Sequence, residues 1–155
     1  ESIDTYEAIN KNTLGNYQLT TFYEGLGDTN YSIKNYDASL DAYNEGLKIA
    51  EKHLISPKIV DLNSKIAQAY NASGKTQKAE VFFYNSMNLA EKQTKQRALE
   101  EKVTVADFQN INQNYDKEIE LRKQIVEDVK EAEKDSVIEN EWLLISRPAL
   151  ISIHH

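Results

Sequence analysis

The chain has 155 residues, of which 40% are hydrophobic and 28% are charged, and its formal net charge is −7. This surplus of carboxylates argues against a nucleic-acid partner, because phosphate binding requires concentrated Lys and Arg. The absence of Cys excludes disulfide bonds and thiol chemistry. No apolar run approaches the roughly 18 residues that a membrane-spanning helix needs, so we expect no membrane insertion by this chain.

Apolar residues at helical spacing, interrupted by short polar breaks, predict a series of helices. At Ser56-Pro57 we predict a helix start, with Ser as the cap and Pro at the first helical position. Gly74 lies in the polar break 71–75 and predicts a sharp turn between two helices. In chain order the predicted helices span residues 2–12, 17–33, 36–54, 58–72, 76–93, 97–112 and 115–134.

One pattern of small and large residues recurs about every 40 residues along the chain. Leu26-Gly27 is followed 40 residues later by Ile66-Ala67, and 39 residues after that by Val105-Ala106. Each helix pair alone leaves an apolar face exposed, so the pairs must stack to bury it. We therefore predict the second helix of a preceding, truncated repeat (1–16), three repeats (17–56, 57–95 and 96–135), and the start of a further helix with an apolar tail (136–155).

This pattern resembles the tetratricopeptide repeat (TPR) family. In that family the first helix carries a large residue, then Leu-Gly, then Tyr, and the second helix carries a small residue, an aromatic and another small residue. The resemblance implies an all-α fold, a right-handed superhelical stack of antiparallel helix hairpins, with a repeat longer than the family's usual period of about 34 residues. The matching residues are Tyr23, Leu26, Gly27, Ser39, Tyr43 and Gly46 in one copy and Ile66, Ala67, Tyr70, Ala79, Phe83 and Ser86 in the next.

The third copy departs from the pattern at two positions of its second helix. Glu118 stands where the family has a small residue, and Arg122 stands where it has an aromatic one. Two interpretations remain open at this point: either this copy packs more loosely, or Glu118 and Arg122 pair across one helical turn.

The TPR resemblance also implies a concave groove lined by the first helices of successive pairs. The side chains expected there are mostly hydrogen-bond acceptors and amides, which suit an extended peptide or protein partner. Because Glu24 and Asp28 are acidic, we expect a neutral or basic partner, with an ordinary solvated surface as the alternative. The predicted groove residues are Glu24, Asp28, Tyr31, Asp61, Ser64, Lys65, Gln68, Asn71, Val103, Asp107 and Asn110.

The sequence offers no arrangement of residues that suits catalysis. His53 lies near a predicted helix C-terminus, where a cation is favourable, and His154-His155 resembles the start of a purification tag. No Gly-rich phosphate loop and no nucleophile with a nearby base is visible. We therefore predict no catalytic, cofactor or metal site, and a protein that is not an enzyme.

The C-terminal segment 142–153 is strongly apolar and has two interpretations. It is either a truncated helix that ends in artificial sequence, or a segment that packs onto the helical stack of its own chain or of a neighbour. In the second case it would contribute to self-association, as would terminal hairpins with uncovered apolar faces.

The helix ends Ala50-Glu51-Lys52 and Ala90-Glu91-Lys92, together with the run 115–123, resemble repeat regions of bacterial sensor histidine kinases, particularly from the Bacteroidetes group. The resemblance implies a fragment of a larger signalling protein, periplasmic or cytoplasmic. Two classes of function follow: a binding module for a protein or peptide, or a structural spacer that self-associates and has no groove ligand.

Overall fold

The computed structural model describes residues 15–134, and 86% of these residues lie in six α-helices. No strand occurs in this part of the chain, so the predicted all-α fold is confirmed. The predicted helix 2–12, the tail 142–153 and His154-His155 lie outside the described residues. The helices are α1 (Asn16–Ser32), α2 (Tyr36–Lys52), α3 (Ser56–Ala72), α4 (Thr76–Ala90), α5 (Lys95–Ile111) and α6 (Tyr115–Lys134).

The helix boundaries repeat with the period seen in the sequence. The first helices α1, α3 and α5 begin at residues 16, 56 and 95, and each has 17 residues. The second helices α2, α4 and α6 begin at residues 36, 76 and 115. Both series therefore advance by 40 and then 39 residues, so sequence and backbone share one repeat.

The turn between the two helices of each pair is built the same way in all three copies. The second residue after the first helix is left-handed in each copy: Lys34 (φ 61°), Gly74 (φ 79°) and Gln113 (φ 61°). The next residue donates its backbone N–H to a carbonyl five residues earlier, at 2.9, 2.8 and 2.8 Å in the three copies. The turn predicted at Gly74 is confirmed.

The helix ends lie within three residues of the predictions, with the largest difference at the end of α4 (Ala90 instead of 93), and the cap differs at the start of α3. There the N-cap position is Ile55, and no side-chain cap hydrogen bond is formed at it, so the prediction that Ser56 is the cap is wrong. Helix formation begins one residue earlier because Pro57 is tolerated anywhere in the first turn, where its missing N–H has no helical partner to lose. His53 occupies the C-cap position of α2, as its predicted place near a helix end requires.

The described residues form two compact units, 15–86 and 87–134, and their boundary falls within α4. In the first unit α1 packs on α2, and α2 packs on α3. Ala67 and Ala79 are fully buried, as predicted for the small residues of the repeat. The main apolar cluster of this unit consists of Leu40, Tyr43, Leu47, Ala50, Leu62, Ile66 and Ala69.

In the second unit α5 packs on α6. Val105 and Ala106 of α5, the third copy of the repeated residue pair, are fully buried. Ile125 of α6 is also fully buried. No helix between residues 15 and 134 is both long enough and apolar enough to cross a membrane.

Candidate functional site

Four of the predicted groove residues lie on one face formed by α1 and α3. Lys65 Nζ of α3 lies 2.7 Å from Asp28 Oδ1 and 3.8 Å from Glu24 Oε1, both on α1. Gln68 follows Lys65 by three residues, so it shares the same side of α3, and it is exposed. We call the face formed by Glu24, Asp28, Lys65 and Gln68 the first-helix surface.

Lys58, which is not among the predicted groove residues, is a buried cation that pairs with Glu24 of this surface. Its ammonium lies 2.5 Å from Glu24 Oε2 and 5.2 Å from the ring centroid of Tyr17, and the residue is only 8% exposed. Burial lowers the pKa of Lys58, but the hydrogen bond and charge of Glu24 outweigh it, so its pKa lies above the ordinary value. The spacing to Lys65 was the available signal, because seven residues make two turns and place both lysines on one side of α3.

Tyr43 connects α2 to the same carboxylates. Its hydroxyl donates a hydrogen bond to Asp28 Oδ1 at 2.6 Å, and its ring lies 6.0 Å from the ammonium of Lys65. Burial of the phenol, together with the adjacent Asp28 carboxylate, raises the pKa of Tyr43 far above its ordinary value. Asp28 is thus held by one neutral donor and one cation.

One predicted groove residue of α3 belongs to the interior. Ser64 is 7% exposed, because it shares a helix face with Val60 and Ala67, which are both fully buried. Its assignment to the groove is therefore wrong. Three further predicted residues of the first unit are partly buried: Tyr31, Asp61 and Asn71.

The ion pairs change the electrostatic interpretation of the first-helix surface. Glu24 and Asp28 are accompanied by Lys58 and Lys65, one cation for each carboxylate. The expectation of a basic partner relied on Glu24 and Asp28 being unpaired, so that reason no longer holds. Asp28 and Lys65 remain partly open to solvent, with side chains 48% and 28% exposed.

In the second unit, the predicted groove residues Asp107 and Asn110 contact Arg122 and Glu118, the two residues at which the third copy departs from the repeat pattern. Arg122 Nη2 lies 2.7 Å from Asp107 Oδ1, and Arg122 Nε lies 2.9 Å from Glu118 Oε1. Asn110 Nδ2 donates to the other Glu118 oxygen at 2.7 Å. Glu118 and Arg122 are both buried, so the interpretation that they pair across one turn is confirmed. Val103, the last predicted residue, is partly buried.

The Arg122–Asp107 ion pair of the third copy occupies the same place in the repeat as the Tyr43–Asp28 hydrogen bond of the first copy. Arg122 and Asp107 are 15 residues apart, as are Tyr43 and Asp28. In the middle copy the equivalent residues are Phe83 and Gln68, which offer neither a hydroxyl nor a carboxylate. The second helix therefore contacts the first through a tyrosine hydroxyl in the first copy and through an arginine in the third copy. In the middle copy Gln68 is exposed.

Within residues 15–134 no group of three or more His, Asp or Glu side chains is arranged to hold a metal ion. No protein-family model matches the chain, and no curated protein is significantly similar to it in sequence. The repeat geometry and the side chains of the first helices are therefore the basis on which its function is proposed.

Proposed function

We propose that this chain is a non-catalytic, TPR-like repeat module that binds an extended peptide or a protein partner across its first helices. One observation carries the proposal: Lys65 joins Glu24 and Asp28, so two successive first helices present their polar residues on one face. A peptide that crosses this face would meet a carboxylate, an ammonium and the amide of Gln68 in turn. The three helix pairs with a common period also support the TPR assignment.

The side chains on this face suit hydrogen bonding to a peptide backbone. Gln68 offers both a carbonyl oxygen and an NH₂ group, and the half-exposed Asp28 carboxylate accepts from backbone N–H groups. Opening the Asp28–Lys65 pair would cost little, because partly exposed ion pairs contribute only about 0.2–1 kcal/mol. Since the carboxylates are already paired, the favoured partner is a neutral peptide segment recognised by hydrogen bonds.

We place the module within a larger bacterial signalling protein, of the two-component sensor type, on the resemblance of residues 115–123 and of the Ala-Glu-Lys helix ends. In such a protein the partner would be another domain or a regulatory protein, and the module itself would carry out no chemistry.

A display selection of peptides on the full chain, followed by calorimetry, tests the proposal. Gln68→Arg places a bulky charge on the first-helix surface, whereas Gln77→Arg makes the same change at an exposed position of the second helix α4. We expect Gln68→Arg to weaken the selected peptide about tenfold, equivalent to about 1.4 kcal/mol, and Gln77→Arg to leave its affinity unchanged. Equal effects of the two variants would place the binding site elsewhere.

The second candidate function is a structural spacer that self-associates. It is favoured by the internal pairing of the first-helix charges, because Glu24, Asp28 and Asp107 each already contact a cation of the same chain. A spacer of this kind would select no peptide and would assemble with increasing concentration in sedimentation velocity experiments. A monomer that binds a selected peptide excludes it.

A further inference from the structure

A cavity of about 300 Å³ lies in the second unit, where the start of α5 faces the C-terminal half of α6. Its apolar part is formed by Ala98 and Leu99, which are almost completely buried. Its polar part includes Lys102, Glu91 and Asp128. The volume is at the lower end of ligand pockets, which span about 300–1,000 Å³, so it suits a single side chain or a small molecule of that size.

Lys102 is an unusual residue for its position in the repeat. The equivalent residue of the first copy is the buried aromatic Tyr23, and Lys102 is itself only 8% exposed. Burying an ammonium is costly unless anions accompany it. Here Asp128 Oδ2 lies 2.6 Å and Glu91 Oε1 lies 3.4 Å from its Nζ. The middle copy has the buried but uncharged Asn63 at this position, so only the third copy places a full charge there. A buried charge where the other copies have uncharged side chains is the kind of departure that marks functional sites.

Lys102 holds two carboxylates at the cavity wall and leaves each with an oxygen to spare. Asp128 uses Oδ2 and Glu91 uses Oε1 for the ammonium, which leaves Asp128 Oδ1 and Glu91 Oε2 outside these two ion pairs. Both side chains remain partly open to solvent, at 37% and 48% exposure. The spare oxygens are therefore accessible acceptors in fixed places.

The net charge of the cavity favours a cation. Its lining carries three carboxylates, those of Glu91, Asp128 and Glu131, against the two ammonium groups of Lys95 and Lys102. Glu131 is exposed, so its carboxylate is open to solvent at the edge of the cavity.

From this geometry we propose that the cavity binds an aliphatic ammonium or guanidinium group. The stem of the ligand lies in the cavity beside Ala98, and its cationic head donates to Glu131 and to the spare oxygens of Asp128 and Glu91. The group can come from a Lys or Arg side chain of a peptide or from a free diamine. The cavity belongs to the second unit and does not depend on the first-helix surface.

Three probes added to the full chain, followed by heteronuclear NMR, test the proposal. N-acetyl-lysine methylamide represents the peptide side chain, 1,5-diaminopentane represents the free amine, and N-acetyl-norleucine methylamide is the neutral control. We expect a cationic probe to bind with a Kd of about 1 mM and to shift the amide signals of residues 94–99 and 128–131. The norleucine probe should shift none of them. Binding of the lysine probe alone identifies a peptide source, and tighter binding of the diamine identifies a free amine.

A matched pair of variants locates the site. Glu131→Gln removes a cavity carboxylate, whereas Glu127→Gln removes an exposed carboxylate of the same helix that pairs with Lys130. We expect Glu131→Gln to raise the Kd about threefold to fivefold, as for one partly exposed charge pair, and Glu127→Gln to leave it unchanged. The proposal is overturned if neither cation binds, if norleucine binds equally well, or if both variants act alike. Binding of a display-selected peptide that Gln68→Arg weakens would still hold, so failure here is distinguishable from failure of the proposed function.

Discussion

Gly27 shows how one residue sets the distance between α1 and α2. A Cβ atom placed on Gly27 would lie 2.2 Å from Cε1 of Tyr43, far inside any allowed contact. The ring cannot easily move aside, because Tyr43 is 2% exposed and its hydroxyl is bound to Asp28. The hydroxyl of Ser39 also donates to the Gly27 carbonyl at 2.9 Å, which keeps the two helices in close contact.

Replacing Gly27 by Ala should therefore destabilise the protein, although Ala is normally the better helix former. We expect Gly27→Ala to lower the free energy of unfolding by about 1–3 kcal/mol, the usual cost of overpacking a core. Gly25→Ala is the matched control, since nothing lies within 4 Å of its added Cβ, and it should raise stability by up to about 1 kcal/mol. Urea denaturation followed by far-UV circular dichroism measures both, and changes of equal sign would contradict the packing argument.

At the scale of the element, the turn within each helix pair has the same backbone conformation in all three copies, although a different residue occupies its left-handed position in each. Lys34, Gly74 and Gln113 all have positive φ, but only Gly74 adopts it without a Cβ penalty. The turn at Gly74 is predictable from the sequence because Gly favours this conformation. Lys34 and Gln113 carry no such signal, and there the hydrogen bonds of the turn impose the same φ on residues that disfavour it.

Exchanging residues at these equivalent positions should shift stability in opposite directions. We expect Gly74→Ala to lower the free energy of unfolding by about 0.5–1 kcal/mol, which is the left-handed penalty less the smaller backbone entropy of Ala in the unfolded chain. Lys34→Gly should raise it by a similar amount, and Lys34→Ala, which keeps a Cβ, should change it little. Thermal denaturation distinguishes the three, and a stabilising Gly74→Ala would show that the turn does not require positive φ.

At the scale of the whole molecule, stability should fall in alkaline solution. The pKa values of Tyr43, Lys58 and Lys102 are all raised in the folded chain. As the pH rises above about 10, these three groups therefore lose their protons in the unfolded chain before they lose them in the folded chain. Their stabilising contribution is complete below that pH and decreases as the pH rises through the folded values.

Urea denaturation at a series of pH values from about 8 to 11 measures this decline. Tyr43→Phe serves as the control, because it copies Phe83 of the middle copy and removes one of the three titrating groups. The variant should show a shallower alkaline decline and a lower tyrosinate absorbance change on unfolding. Parallel curves for the two proteins would contradict the assigned role of Tyr43.

By itself the sequence determined the six helices, the repeat period, the turn at Gly74 and the burial of Ala67 and Ala79. These features depend on local spacing: residues three or four apart share a helix face wherever the helix packs. The same local rule identified Glu118 and Arg122 as a possible pair, although it left looser packing as the alternative.

Only the tertiary structure decided which charges meet. Lys58 and Glu24 are 34 residues apart, and Lys65 and Asp28 are 37 apart, so their pairing depends on how α3 lies against α1. The burial of Ser64 and the cavity beside Lys102 arise in the same way. The period of the repeat indicates which helices are equivalent. Which long side chains contact each other across a helix interface depends on how the helices pack together.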